Sequence, residues 1–486
     1  MNETVLTWVV FILAFGGMVL IHEFGHYIVA RLCGIEVEEF GVGLPTPGAL
    51  TLWTNKGYLI LKDGRRVDIP NNFPLPLNSS DLIGRQVKIT VDKIDEKWVL
   101  RTFEVTLEEP AKASSGRSAL EMQGVYVDQD GKVVDAPQSA SAATPGKVLK
   151  VGKKPGEMAM NVILAEVHPG TRFTLNWLPL GGFVRPKGEN DPNIPGGLAA
   201  ASPWKRLAVL FAGPLMNLIT AMLIYSFIVA RGGIPVPSQI RITDIVPNSP
   251  AAAAGIQKDD VLLAGQGTNI ADYEDLRNVI GANENAPVVF TVLRDGQQLE
   301  IPVTPQRSPE DNRVVIGIYF EQRYTSQPAT VGSAIEYGAL ATGNAVRTLI
   351  SLPAQLIRGT LPAEQGRIIG LKGIYDIMEQ SVTNDMQASN TSAPTTAEPT
   401  SNPFDKMTTL MIIASLSVSL GVFNLFPFPA LDGGRIIFIL PELIFRRRVS
   451  PRIENLVHGL GMAILLIFML YVNVMDFVNP ITVTIP

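Results

Sequence analysis

The sequence TVLTWVVFILAFGGMVLIHEFGHYIVA, residues 4–30, decides how this chain folds. Its first 18 residues carry no charged side chain, and about 20 apolar residues are enough for a helix to cross a bilayer core. The flanking Asn2 and Glu3 are not basic, the apolar stretch is long, and no small-residue cleavage site follows. We therefore interpret the run as a retained transmembrane helix and not as a signal peptide.

Three further apolar runs approach the same length, at residues 204–230, 407–426 and 456–474. Only 17% of the 486 residues are charged, whereas soluble domains carry about 25%. The fold class that we predict is a polytopic α-helical membrane protein with four transmembrane helices. Lys and Arg cluster after the first run, before the second, and between the third and fourth. By the positive-inside rule these loops are cytoplasmic, and the N-terminus lies outside a plasma (inner) membrane.

The end of the first run carries an H-E-x-x-H pattern, formed by His22, Glu23 and His26. Positions i and i+4 share one face of a helix, so both imidazoles can bind one metal ion. Glu23 is rotated away from His22 by one residue, which places it to act as a base toward a water molecule and not as a ligand. Because ionisable groups inside a membrane helix are costly, this pattern favours a functional site over a solvated histidine pair.

A catalytic zinc ion takes three protein ligands and keeps one position open. The strongest third candidate is Asp432, which follows the third apolar run within NLFPFPALDGG, residues 424–434. His22 lies about 27 Å along its helix from Thr4, close to the cytoplasmic boundary of the bilayer. The third run crosses the membrane in the same direction, so both motifs reach the same depth and can share a metal ion.

The remaining candidates for metal binding are weaker. Cys33 lies about 10 Å beyond His26 along the helix axis, so we expect it to pack and not to bind the metal. His168 sits in a polar stretch, where we expect it to be solvated. A lone histidine such as His458 more often caps or packs than catalyses.

These motifs resemble those of the site-2 protease family of intramembrane zinc metalloproteases. AGPLMN at residues 212–217 is similar to the family's G-x-x-x-N motif, and PLGGFV at residues 179–184 is similar to its membrane-associated β-hairpin. The resemblance implies one catalytic zinc ion, with Glu23 as the catalytic base and the metal ligands His22, His26 and Asp432. Substrate-positioning roles are expected for Asn424, Pro427, Asn217, Gly181 and Gly182.

Residues 237–320 predict an extracytoplasmic PDZ-like α+β domain. The stretch at 240–246 alternates as a strand, and SPAAAAGIQKDDVL at 249–262 resembles the PDZ pattern, with Asp259 in place of the usual Gly. Asp295-Gly296 marks a hairpin turn. PDZ domains bind peptides by strand addition, so we expect either a peptide ligand or a steric filter for substrates.

The largest departure from the site-2 protease family pattern is a predicted β-rich cytoplasmic insertion at residues 51–167. Alternation over 88–107 predicts strands, Asp130-Gly131 predicts a turn, and an Ala/Ser/Pro stretch covers 136–146. Structural decoration and a substrate or regulatory role both remain open for this insertion. We expect an amphipathic segment at 321–382 and a disordered linker at 383–403, which is rich in Ser, Thr, Asn and Pro.

The resulting domain organisation has seven parts. They are the first transmembrane helix and first hairpin strand (1–50), the insertion (51–167), the hairpin and second transmembrane helix (168–236), the PDZ-like domain (237–320), the amphipathic segment (321–382), the linker (383–403), and the last two transmembrane helices (404–486).

The sequence as a whole predicts hydrolysis of a peptide bond in or near a transmembrane segment. The resemblance to the site-2 protease family implies a single-span membrane protein in the lipid bilayer as substrate, such as an anti-sigma factor. A net charge of -5 without long basic stretches argues against nucleic acid as a partner. Two alternatives stay open: an inactive membrane-anchored PDZ scaffold with a structural zinc site, and a metal transporter that uses the buried histidines.

Overall fold

A computed structural model gives the architecture of most of the chain. It describes residues 3–46, 48–73, 75, 82–94, 96–105, 126–127, 133–134, 157–189, 191–308, 313–358, 369–390, 404 and 406–479. The predicted turn at Asp130-Gly131 and the stretch 136–146 lie outside these residues.

The helices of the described residues range from 5 to 30 residues in length. They are α1 (Glu3–Leu32), α2 (Pro203–Gly232), α3 (Pro250–Ala254), α4 (Tyr273–Ala282), α5 (Val331–Ile357), α6 (Leu371–Asn390), α7 (Thr408–Asn424), α8 (Asp432–Phe445) and α9 (Pro451–Val478).

The strands fall into two groups, one before α2 in the chain and one after it. The first group comprises β1 (Val37–Leu44), β2 (Leu50–Thr54), β3 (Gly57–Leu61), β4 (Arg66–Ile69), β5 (Gln86–Ile94), β6 (Lys97–Val105), β7 (Tyr126–Val127), β8 (Val133–Val134), β9 (Glu157–His168), β10 (Arg172–Leu175) and β11 (Leu178–Pro186). The second comprises β12 (Ile234–Ile245), β13 (Val261–Gly265), β14 (Thr268–Asn269), β15 (Val288–Arg294), β16 (Gln297–Val303), β17 (Gln306–Arg307), β18 (Val314–Val315) and β19 (Ile318–Gln327).

Three helices of the described residues, α1, α2 and α9, are long and apolar enough to cross a membrane. The third predicted span corresponds to α7, which is apolar but has only 17 residues. A helix of this length covers about 26 Å, just short of a bilayer core. It ends at Asn424 because the following loop contains two prolines, Pro427 and Pro429. Three of the four predicted spans therefore meet the length criterion in the described residues, and the third in chain order, α7, falls just below it.

The chain divides into two compact units, and the first comprises residues 8–217 and 420–468. Its sheet has the order β11-β1-β10-β2. The strand after α1 pairs antiparallel with the strand that carries PLGGF, as the predicted hairpin requires. However, β10 pairs parallel with the other side of β1, so the expected two-stranded hairpin is part of a four-stranded mixed sheet. The difference arises because the insertion returns through β10 before the chain reaches β11.

The insertion forms a closed five-stranded barrel with the order β3-β4-β6-β5-β9. All neighbouring strands are antiparallel except β4 and β6, which run parallel. This arrangement matches an OB-type Greek-key barrel whose first strand, here β9, comes last in the chain. Inward-facing residues alternate with outward-facing ones, and the barrel interior is filled by apolar side chains that include Leu59, Ile89, Leu100 and Leu164.

The second unit comprises residues 1–7, 218–419 and 469–486. It contains a PDZ-like domain whose main sheet has the order β16-β15-β13-β12-β19. The β15–β16 hairpin turns at Asp295 and Gly296, both with positive φ, as predicted. Asp259 adopts φ 71° and thereby keeps the left-handed turn that glycine usually makes. The buried Asp260 accepts hydrogen bonds from Arg294, and this contact raises the pKa of the Arg294 guanidinium.

Two aspartates hold α6 in the same unit. The Asp476 carboxylate in α9 accepts hydrogen bonds from the backbone N–H groups of Gly370 (2.8 Å) and Gly373 (3.2 Å), at the first turn of α6. Farther along α6, Asp385 accepts from the N–H groups of Thr408 and Thr409 at the start of α7. Residues 383–390 are helical, which corrects the prediction that a disordered linker begins at residue 383. The contacts of Asp385 with the start of α7 explain why the helix continues through this segment.

Candidate metal centre and active site

The three predicted metal ligands lie together in the first unit. His22 Nε2 is 3.1 Å from Asp432 Oδ2, His26 Nε2 is 3.4 Å from the same oxygen, and the two Nε2 atoms are 3.2 Å apart. His22 and His26 project from one face of α1, whereas Asp432 is the first residue of α8. No other group of three or more such side chains with metal-binding spacing occurs among the described residues.

The opposite nitrogen of each imidazole has its own partner. His26 Nδ1 donates to the backbone carbonyl of Val209 at 2.7 Å, and His22 Nδ1 lies 3.2 Å from the Asn217 side-chain amide. Such partners fix the tautomer and orientation of a metal-binding histidine. With Nδ1 of His26 donating to Val209, the Nε2 lone pair of that ring is free to bind an ion. The Asn217 atom nearest His22 Nδ1 is the amide nitrogen; turning that amide by 180° presents its oxygen to Nδ1–H and leaves His22 Nε2 free in the same way.

Two glycines let α1 and α2 approach closely at this point. A Cβ on Gly213 would lie 2.8 Å from His22 Nε2 and nearer still to His26 Nε2. A Cβ on Gly25 would lie 2.5 Å from the backbone oxygen of Ala212. The space beside the two imidazoles therefore exists because residue 213 has no side chain.

The loop from Asn424 to Asp432 folds back on the start of α8. A Cβ on Gly433 or Gly434 would collide with carbonyl oxygens of this loop. Ala430 is held at φ 83°, which is unusual for a residue other than glycine. Its N–H donates to His458 Nδ1 at 3.0 Å, so His458 supports the loop that delivers Asp432.

Glu23 faces a cavity of about 380 Å³ that contains the three-residue cluster. Its carboxylate accepts a hydrogen bond from the backbone N–H of Val184 in β11. Val184 and Pro186 line the same cavity, and β11 is the edge strand of its sheet. The cavity therefore places a base and a candidate metal site next to a strand edge that no other strand of the described residues covers.

The predicted substrate-positioning residues take different places. Asn424 lines the cavity, whereas Pro427 is not among its lining residues. Gly181, with φ 90°, lets β11 approach α1, because a Cβ there would lie 3.1 Å from Val19 Cγ1. At Gly182 the tight contact is with β1, where a Cβ would lie 2.9 Å from the Gly41 carbonyl oxygen. Asn217 contacts His22 and not the cavity, so its position suits orientation of a metal ligand better than contact with substrate.

Other residues of the site were not singled out from the sequence. The Val209 carbonyl leaves no signal in side-chain identity. Gly213 was visible only as part of the G-x-x-x-N motif. Arg435, one turn after Asp432, lines the cavity and forms an ion pair with Glu189; its charge at the end of an apolar run was a usable signal.

The position of His168 requires a correction, because it was predicted to be solvated. Its ring is buried and stacks on Tyr58, with centroids 4.2 Å apart. Two carboxylates, from Glu36 and Glu166, contact its two ring nitrogens. The HPGTR stretch is polar because it forms the junction between the barrel and the sheet, and not because it is exposed.

The cluster fits a zinc ion. Ligand atoms at about 2.0–2.1 Å from a tetrahedral zinc lie about 3.3 Å from one another. The three separations of 3.1, 3.2 and 3.4 Å match this value. Two neutral imidazoles and one carboxylate are a known catalytic donor set that leaves a fourth position open, and the absent side chain of Gly213 keeps the space beside them free.

Comparisons with known proteins identify the family of the chain. The profile of Peptidase family M50 matches residues 10–61 and 154–468. The zinc metalloprotease RasP of Oceanobacillus iheyensis is 25% identical over 481 residues, which cover 96% of this chain and 97% of that protein. The regulator of sigma-W protease RasP of Bacillus subtilis is 24% identical over 472 residues, with 96% and 97% covered. Among solved structures, the match to a PDZ domain of an SdrC-like protein from Listeria monocytogenes covers 18% of this chain and 90% of that chain, with 11% sequence identity and a TM-score of 0.16.

Proposed function

The chain belongs to peptidase family M50, the site-2-type zinc metalloproteases, and from this premise we propose that it hydrolyses a peptide bond within or beside a transmembrane segment of another protein. The observation that carries the proposal is the meeting of His22, His26 and Asp432 at zinc-binding distances beside Glu23. The two histidines and Glu23 lie on α1, a helix long enough to span a membrane.

We assign the metal to His22 Nε2, His26 Nε2 and one oxygen of Asp432. Zinc held by these atoms supplies Lewis acidity, which makes a nearby water molecule easier to deprotonate and polarises the scissile carbonyl. Asn217 and the Val209 carbonyl orient the two imidazoles for this task.

Glu23 performs the proton transfers in this proposal. Its carboxylate takes a proton from a water molecule, whose oxygen then bonds to the carbonyl carbon of the scissile peptide. As the C–N bond breaks, Glu23 passes that proton to the amide nitrogen, which leaves as an amine. Asn424 lines the cavity with a side chain able to hydrogen-bond the substrate carbonyl as negative charge develops on its oxygen.

The edge of β11 supports a way to hold the substrate. A helical segment hides its carbonyl groups in internal hydrogen bonds, so it must unwind before hydrolysis. An unwound segment can pair with an unpaired strand edge, and Val184 and Pro186 of β11 line the cavity beside Glu23. Gly181 serves this role by allowing β11 to lie against α1, and Gly182 by allowing it to lie against β1.

The apolar helices and the RasP relatives fit a multi-pass plasma membrane protein. Within that frame we propose a cytoplasmic position for the active-site end of α1 and an extracytoplasmic PDZ-like domain, on the basis of Lys and Arg near the span ends. The proposed substrate is a single-span membrane protein already trimmed on its outer side. The name of the Bacillus subtilis relative, regulator of sigma-W protease, supports an anti-sigma factor as one such substrate.

The test is cleavage of a tagged single-span protein by the purified chain in liposomes. Glu23→Gln should lower kcat by at least about 100-fold, since general-base catalysis contributes about 10²–10⁴, while bound zinc stays stoichiometric. A chelator should abolish cleavage by the parent, and added zinc should restore it. Glu300→Gln, the same change on an exposed strand of the PDZ-like domain, is the matched control.

The inactive-scaffold alternative makes the opposite prediction. Under that alternative, Glu23→Gln would leave the cellular phenotype unchanged, because no proton transfer is needed. Cleavage that survives Glu23→Gln would remove Glu23 from the mechanism and direct attention to a contaminating protease or another site.

A further inference from the structure

We propose that a chain of ion pairs ties the barrel to the end of β11, and that the barrel thereby positions the substrate-binding edge of the active site. The kinetic part of this inference rests on the function proposed above. The tie itself is a property of the first unit and can be tested without any substrate.

The tie begins at His168, the last residue of the barrel strand β9. Its Nε2 lies 2.8 Å from Glu166, and its Nδ1 contacts Glu36 in a short hydrogen bond. The ring is therefore held between two carboxylates, one on each of its nitrogens. The parallel stacking on Tyr58, itself covered by the Arg66 guanidinium at 4.0 Å, fixes the plane of the ring.

Glu36 connects His168 of the barrel to Lys187, the residue after β11. It follows the end of α1 by four residues and precedes β1, and its second carboxylate oxygen accepts a hydrogen bond from Lys187 Nζ at 2.8 Å. Lys187 is 1% exposed and also donates to the Val167 carbonyl of β9 at 2.8 Å. A lysine this deeply buried needs both partners, so the residue after β11 is anchored to the barrel.

The residues that follow β11 are also anchored to α8, the helix that begins with Asp432. Two residues after Lys187, Glu189 forms an ion pair with Arg435, which lies one turn after Asp432 on α8. Gly188 between them has φ 53°, and this conformation lets the two side chains diverge. Pro186 and Glu189 both line the active-site cavity. The end of β11 is therefore held between the barrel and the helix that carries Asp432.

In this proposal the function of the insertion, which the sequence left open, is to hold β11 in position beside the active-site cavity. If the tie is cut, β11 should keep its pairing with β1 but lose its fixed position against the cavity. An edge strand that fluctuates binds an unwound substrate less well, whereas the metal ligands and Glu23 stay in place. The expected defect is thus in substrate binding and not in the chemical step.

The experiment compares Glu36→Gln and His168→Phe with the parent in the full-length protein. Glu36→Gln removes the shared charge but keeps an acceptor, and His168→Phe keeps the stacking on Tyr58. Asp92→Asn, which removes an exposed ion pair with Arg101 on the barrel surface, is the matched control. Hydrogen exchange measured by mass spectrometry at residues 178–189, without substrate, is the first readout.

We expect backbone amides of residues 182–189 to exchange about tenfold faster in both variants and unchanged in Asp92→Asn. With a cleavable substrate, KM should rise about five- to tenfold while kcat stays within about twofold and bound zinc is unchanged. If Glu36→Gln fails to fold, Lys187→Met, which removes the contacts with both Glu36 and the Val167 carbonyl, is decisive. Faster exchange confined to the barrel strands, with residues 182–189 as in the control, would overturn the proposal.

Failure of the tie and failure of the proposed function give different results. A parent that cleaves nothing contradicts the protease proposal, and the exchange data still decide whether the barrel holds β11. A parent that cleaves normally, with variants whose exchange and KM equal those of Asp92→Asn, rejects the tie alone.

Discussion

At the scale of single residues, the candidate zinc site depends on a position without a side chain. Gly213 faces the two imidazoles, and the calculated place of its Cβ is 2.8 Å from His22 Nε2. A methyl group there would compete with the metal for space and push the rings apart. Metal sites tolerate displacements of only about 0.2 Å in ligand distance.

We therefore expect Gly213→Ala to bind zinc substoichiometrically and to lose proteolysis, with the protein still inserted in the membrane. The matched control is Gly17→Ala, in α1, where a Cβ would meet nothing within 4 Å. Zinc per chain, measured by elemental analysis after purification, separates the two variants. Stoichiometric zinc in Gly213→Ala would show that the helices can move apart at no cost to the site.

The contact between Asn217 and His22 leads to a second prediction. Removing a partner that orients a metal-binding histidine costs about 10- to 100-fold in metal affinity. We expect that loss in Asn217→Ala, measured by competition with a chelator of known affinity. Asn217→Asp replaces the amide nitrogen nearest His22 Nδ1 with an oxygen that can accept from a protonated Nδ1, so it should retain most of the affinity. Equal losses in both variants would argue for a packing role of Asn217.

Sequence spacing predicted only some of the contacts in the candidate zinc site. His22 and His26 share a face because four residues separate them, and the prediction that Asp432 joins them assumed that two apolar runs cross the membrane in the same direction. Neither argument identifies the Val209 carbonyl or the role of Gly213, since a backbone oxygen and an empty space carry no side-chain signature. The ion pair of Arg435 with Glu189 depends on a loop path that no local pattern encodes.

At the scale of elements, strand pairing was harder to predict than strand position. Residues 37–44 and 178–186 form strands and pair as expected. β10 was not foreseen on the other side of β1, because pairing across an insertion of more than a hundred residues depends on how the insertion folds. Helix α6 extends through residues that composition assigned to a linker, because Asp385 ties its second half to α7.

The start of α6 offers a test at this scale. Asp476→Ala would leave the N–H groups of Gly370 and Gly373 without their carboxylate acceptor. Loss of such a cap costs about 1 kcal/mol, which is about a fivefold change in a local equilibrium. Hydrogen exchange over residues 371–378 should accelerate by about that factor in Asp476→Ala.

The comparison for that test is Asp476→Asn, which keeps one oxygen as an acceptor. It should show a smaller acceleration than Asp476→Ala. Equal exchange in the parent and Asp476→Ala would mean that other groups satisfy the first turn of α6.

At the scale of the whole molecule, composition predicted the class correctly. The charge deficit and the apolar runs identified a membrane protein, and the paired motifs identified its family. Of the four predicted spans, α7 is shorter than the length criterion in the described residues, because the proline-containing loop that carries the chain to Asp432 ends it. The barrel could not be recognised as OB-type from its strands, since the permuted order places β9 last and about fifty residues intervene between β6 and β9.

One consequence follows from Cys33, the only cysteine of the chain. It lies just after α1, is partly exposed, and its carbonyl accepts a hydrogen bond from Lys205 at 2.8 Å. The natural protein is thus ready for single-site thiol labelling, and it needs no prior removal of other cysteines. A membrane-impermeant maleimide should leave intact spheroplasts unlabelled and modify Cys33 in inverted vesicles. Labelling from the outside would reverse the proposed orientation of α1, so one native thiol reports the sidedness of the active-site end.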